Sequence, residues 1–160
     1  MNPNTLTMKV VNKKGKYKDI DIYTDIEHYV KRIEACESVF ARNLDHNNYG
    51  EQMYTYAKKS TMPRGAKIRH TVLSFQGPKG TLENARELAN HAIDFYADNY
   101  QIYAAVHNDT ENVHIHMVMN MTGLNAKHYS GKKKDYYAFQ NHLRSFCHKN
   151  KIKLQVVRDD

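Results

Sequence analysis

The chain has 160 residues, enough for one compact domain with a sizeable core. Mean hydropathy is −0.79, no apolar run approaches the ~18 residues of a membrane span, and the N-terminus lacks a signal-peptide pattern, so membrane insertion is not expected and a cytoplasmic location is. Lys and Arg number 24 against 17 Asp and Glu, a net charge of +7 that favours a polyanionic partner such as nucleic acid, and Cys36 and Cys147 form neither a CxxC pair nor a disulfide framework and read as reduced.

In chain order, Met8 to Asn12 reads as a short strand, followed by a basic turn and a second strand through Tyr23. Thr24 or Asp25 is an N-cap for a helix to about Glu37, on which Ile26, Tyr29, Val30 and Ile33 share one face. A polar turn over 43–50 leads to a second helix from Gly50 to Lys59, and a basic loop to a buried strand from Ile68 to Phe75. Thr81 caps a long amphipathic helix with Leu88, Ala92, Phe95 and Tyr96 inward. Two strands follow, Ile102–His107 and Val113–Asn120, then a basic loop, a last helix over 135–150 and a final strand over 152–157. The short 107/113 connection forces an antiparallel hairpin, since a parallel crossover needs a dozen or more residues. The fold class is therefore α+β, with a central antiparallel sheet flanked by helices.

The hairpin carries the chemistry. Side chains alternate along a strand, so His114 and His116 point to one face while Val113, Ile115, Met117 and Met119 point into a core. His107 ends the preceding strand and can bring a third imidazole to the same face. Two imidazoles buried without partners would cost a few kcal/mol, whereas three converging from a rigid sheet make a divalent-metal site with open positions. The competing reading is of three polar side chains with a structural role.

The segment His107-Asn-Asp109-Thr-Glu-Asn-Val-His114-Ile-His116, followed by a hydrophobic run and Asn120, closely resembles the third motif of relaxases, the mobilisation nucleases of the HUH endonuclease superfamily. Arg69-His70-Thr71-Val72-Leu73-Ser74-Phe75 is similar to the second motif, and Glu27-His28-Tyr29-Val30 resembles the first. The resemblance spans about residues 25–157 and implies an HUH-like palm over residues 1–160, a nicking domain that can open a longer protein.

The resemblance further implies transesterification on single-stranded DNA at a transfer origin in a bacterial cytoplasm, initiating conjugative transfer with relaxosome accessory and coupling proteins as partners. His107, His114 and His116 would hold a divalent ion, Mn²⁺ or Mg²⁺, and a tyrosine hydroxyl would attack the scissile phosphate to leave a 5′-phosphotyrosine. Tyr29 is the expected nucleophile, with the adjacent His28 and then Tyr23 as alternatives. A tyrosine hydroxyl ordinarily titrates near pH 10, so it needs help, and Asp109 would accept its proton or orient a ligand histidine. Ser74 and Asn120 would position DNA or a phosphate, or support the site from the strand end, and Lys13–Lys18, Lys58–Arg69 and Lys132–Lys134 are basic segments suited to DNA contact.

Two other readings stand beside this one. An HUH replication initiator or transposase usually places the histidine pair before its tyrosine, which would use Tyr129, Tyr136 or Tyr137. A non-catalytic DNA-binding accessory module would show neither metal dependence nor a covalent adduct.

Overall fold

A computed structural model describes residues 3–13, 15–32 and 34–158. Its strands are β1 (Thr5–Val11), β2 (Cys36–Arg42), β3 (Ile68–Gln76), β4 (Ile102–His107), β5 (His114–Asn120) and β6 (Lys153–Arg158), and its helices α1 (Ile22–Val30), α2 (Tyr49–Lys59), α3 (Leu82–Asp94) and α4 (Lys133–Lys149). The strands form a single sheet in the order β2-β4-β5-β3-β1-β6. All neighbours are antiparallel except β1 and β6, which run parallel. The α+β class holds, with a central antiparallel sheet that becomes mixed at one edge.

Alternation along the strands builds two unlike faces. Leu6, Met8, Leu73, Phe75, Ala104, Val106, Ile115 and Met117 face α3 and α4, and with Leu88, Ile93, Phe139 and Leu143 they form the larger core. On the other face Ile68, Tyr103, Ala105 and Val118 pack against Ile22, Tyr23, Ile26, Val30 and Met53 of α1 and α2. Thr81 caps α3 as its residue type suggests, its hydroxyl accepting from the Asn84 amide at 3.1 Å.

The α1–α2 pair is held by a buried carboxylate. Glu27 accepts from the backbone amides of Tyr49 and Gly50 at 3.0 and 2.8 Å, satisfying two donors at the start of α2, and pairs with Lys31 at 3.0 Å. Gly50 lets the helices meet, because a Cβ there would lie 2.0 Å from the Tyr23 carbonyl oxygen.

Two expectations change. The stretch leading to Tyr23 is no strand: Lys16–Lys18 is a 3₁₀ turn, Asp19 accepts from the Asp21 amide, and α1 begins at Ile22. The first helix ends at Val30, not near Glu37, and Cys36–Arg42 is an edge strand beside β4, with a bulge between Cys36 and Ser38. Ile33, expected on the apolar face of α1, lies outside the described residues, as does Lys14 of the first basic segment.

His91 and His142 clasp α3 to α4. Their rings stack with centroids 3.8 Å apart, and each Nε2–H donates to the other's backbone carbonyl, at 2.7 and 2.5 Å. Burial pulls the His142 imidazole below its ordinary range, and the neighbouring His91 ring adds to the effect. The unfolded chain therefore takes up a proton at His142 more readily than the folded one, and stability is lost as pH falls below about 6.5. Calorimetric Tm should drop between pH 7.5 and pH 5, and part of that drop should vanish in His142→Gln; a Tm that holds level on acidification in the unaltered chain would contradict the clasp.

Candidate metal centre and its groove

His107 and His114 face each other directly across the β4–β5 pair, and His116 follows two residues on, opposite Ala105. One ligand atom from each of His107, His114 and His116 lies within 4.8 Å of the other two. The second nitrogen of every ring is engaged elsewhere. Nε2–H of His107 donates to the Val30 carbonyl at 2.6 Å, and Nδ1–H of His114 to the Asn112 carbonyl at 3.0 Å. Nδ1 of His116 lies 2.7 Å from Nε2 of His70. The remaining nitrogens turn inward, and Nδ1 of His107 is buried with no hydrogen-bond partner.

That orphaned atom is the observation that fits a metal. A buried polar atom without a partner is costly, and a cation shared by three imidazoles would satisfy it. Burial holds His107 below the ordinary histidine range, and burial together with the His70, His107 and His114 rings takes His116 down to about 2. These imidazoles are neutral at pH 7, the form that ligates. A set of three nitrogens favours Mn²⁺, Co²⁺, Ni²⁺ or Zn²⁺ over Mg²⁺ in affinity.

Tyr29 stands beside the centre. It lies on the last turn of α1, is 50% exposed, and meets His116 edge-on with ring centroids 5.7 Å apart. It opens on a groove of about 440 Å³ lined also by Lys9, Lys13, Lys16, His70 and Val72. His28, one residue earlier, lines a separate depression with Lys31, Asn47 and Asn48. Tyr23 is fully buried, and burial pushes its hydroxyl up to about 12.

Of the two roles expected for Asp109, the orientation of a ligand histidine has no hydrogen bond behind it. The Asp109 carboxylate meets the Arg32 guanidinium at 3.3 Å and orients no ligand histidine, because a main-chain carbonyl or His70 already occupies each outer nitrogen. Arg32 in turn lies 4.5 Å over the Tyr29 ring and donates to the Tyr29 carbonyl at 2.7 Å. Nothing local in the sequence marks Arg32; its position after α1, facing the β4–β5 loop, is a tertiary fact. Ser74 lies opposite His114 on β3, on the histidine face.

Asn120 is not at the groove. It sits six residues beyond His114, about 20 Å along the strand. There it is fully buried, donates to Met53 and Gln101 and accepts from the Thr122 amide. It latches the sheet to α2 and is sealed from DNA. Of the basic segments, Lys13 and Lys16 reach the groove, while Lys132–Lys134 start α4, the helix packed on the opposite face of the sheet.

Residues 11–152 match the family described as relaxase, MobA/VirD2-like, nuclease domain. The chain belongs to this relaxase family. Membership makes it a nuclease domain of a DNA-mobilising family. A comparison with curated proteins finds no match. A solved structure described as the molecular basis of vancomycin resistance transfer in Staphylococcus aureus is similar with TM-score 0.47 and 15% identity, over 78% of this chain and 76% of that one. No helix among the described residues of this relaxase domain is long and apolar enough to cross a membrane.

Removing one imidazole should open the centre. His107→Ala or His116→Ala should weaken Co²⁺ binding by more than about 100-fold, exceeding the loss typical of outer contacts. His28→Ala should leave it unchanged. Calorimetric titration gives the comparison, and equal affinity in all three variants would exclude the triad as the binding site.

Proposed function

We propose that the chain nicks one strand of DNA at a transfer origin by transesterification, with Tyr29 as the nucleophile and His107, His114 and His116 as the holders of a divalent ion. The observation that carries this reading is the edge-on contact between Tyr29 and His116 at the mouth of a basic groove. Proximity of this kind turns attack by a side chain into an effectively unimolecular step.

The chain's residues divide the work. Lys9, Lys13 and Lys16 line the groove and draw in a phosphate backbone, and Ser74 lies beside His114 where a hydroxyl can donate to a phosphate oxygen. His107, His114 and His116 would hold a divalent ion, which would supply Lewis-acid polarisation of the scissile phosphate. The Tyr29 oxygen bonds to phosphorus as its proton passes to solvent, the bond to the 3′ oxygen breaks, and that oxygen takes a proton from solvent and leaves as the 3′ hydroxyl. The 5′ phosphate stays on Tyr29, and the reverse attack reseals the strand. Arg32 stacks on Tyr29 and is steered by Asp109, so its charge stands where the phosphate charge must be met. Asp109 thus acts through Arg32.

The alternative tyrosines do not share this geometry. Tyr136 and Tyr137 lie in the first turns of α4, on the helix layer across the sheet from the triad.

Single-stranded origin DNA incubated with the protein and Mn²⁺ should give a covalent adduct on a denaturing gel. Tyr29→Phe should abolish it, His28→Ala should leave it within about twofold, and Asp109→Asn should slow it roughly 10-fold, less than the roughly 100-fold lost with a directly positioned electrostatic contact, because Asp109 acts through Arg32. An adduct that survives in Tyr29→Phe would move the nucleophile elsewhere, and no cleavage of a verified origin would leave a DNA-binding module.

A further inference from the structure

A fourth imidazole lies on the histidine face, outside the triad. In the β3–β5 register Val72 faces His116 and His70 faces Val118, so His70 sits diagonally beside His116. Both are buried, at 4% and 5% exposure, and their rings lie nearly parallel with centroids 5.0 Å apart. Nε2 of His70 lies 2.7 Å from Nδ1 of His116, and Nδ1 of His70 lies 2.8 Å from the Tyr17 hydroxyl. Three side chains form a continuous buried relay from the triad to the groove wall, which Tyr17 lines.

Each contact between neutral imidazoles needs one protonated nitrogen and one lone pair. Two arrangements satisfy the whole relay. In the first, the Tyr17 O–H donates to His70, the His70 Nε2–H donates to His116, and the His116 proton sits on its other nitrogen, aimed into the triad. In the second, His116 Nδ1–H donates to His70 Nε2, and His70 Nδ1–H donates to the Tyr17 oxygen. Only the second leaves His116 Nε2 with a lone pair for a metal.

We propose that His70 is a positioning residue that fixes His116 in its metal-binding tautomer, with the Tyr17 hydroxyl accepting from His70. This rests on the reading of the triad as a metal centre. The residue type suits the task. An imidazole can accept from His116 and donate onward at once, whereas a carboxylate in its place would accept but add a negative charge beside the phosphate of the substrate. His70 is itself no ligand, since the nitrogen that faces the triad is already bonded to His116.

Two measurements on the full chain test this without reference to cleavage. Long-range ¹⁵N–¹H spectra of the Zn²⁺-loaded protein should show His116 and His70 both protonated at Nδ1. Titration with Co²⁺, followed by calorimetry and visible absorption, should show His70→Ala weakened about 10- to 100-fold, the range for lost outer contacts to a metal ligand. His70→Gln, whose carbonyl oxygen can still accept from His116, should recover part of that loss, and Tyr17→Phe should show a smaller one. A folded His70→Ala that binds Co²⁺ as tightly as the unaltered chain, with the same spectrum, would overturn the relay and leave the triad standing. If His70→Ala does not fold, the tautomer of His116 in the unaltered protein decides: an unprotonated Nδ1 overturns the proposal. An unaltered chain that fails to bind Co²⁺ would overturn the metal centre and the relay with it.

Discussion

The hydrogen bond from His107 Nε2–H to the Val30 carbonyl joins the two halves of the site. It is 2.6 Å long and buried, and it does three things at once. It sets the His107 tautomer, so that Nδ1 carries the lone pair. It satisfies a carbonyl at the end of α1, where no further helical turn can accept it. And it fixes the end of the helix that carries Tyr29, one residue before Val30, against the strand that carries the first ligand. Nucleophile and metal centre are thereby held in one frame, although α1 and β4 are separated by 71 residues of chain.

The two faces of the sheet divide labour accordingly. The face under α3 and α4 is almost wholly apolar and provides most of the core. The face under α1 and α2 gives up part of its hydrophobic contact to a stripe of histidines running from His107 through His116 to His70. Such a stripe is tolerable because most of its polar atoms find partners: carbonyls at Val30 and Asn112, the His70–Tyr17 relay, and Glu27 holding the neighbouring helix pair. Among the described histidines of this stripe, a buried nitrogen without a partner, His107 Nδ1, points at the chemistry.

The sequence was readable where a local period carries the information. His114 and His116 declare a shared face through simple alternation, and the short loop after His107 forces the hairpin that adds a third ring. Thr81, the apolar positions of α3 and the strand over Ile68–Phe75 are local in the same sense. What was not readable depends on distant register. His70 becomes a neighbour of His116 only once β3 and β5 are paired, and Arg32 reaches Asp109 only once α1 packs beneath the β4–β5 loop. Cys36–Arg42 misleads because an edge strand, half-buried along most of its length, shows no clean alternation, and Asn120 shares the histidine face but lies at the far end of β5, under α2, a distance that its place in a motif does not declare.

Gly50 gives this arrangement an unexpected vulnerability. It touches neither the groove nor the histidines, yet it sets the spacing between α2 and α1, the helix that carries Tyr29. Any side chain there must push against the backbone of Tyr23 and Thr24, and a reacting group misplaced by about 1 Å can lose roughly 100-fold in rate. The residue works as a spacer gauge: a chain altered there could keep its sheet, its core and its imidazoles, and still carry a tyrosine out of line with the phosphate.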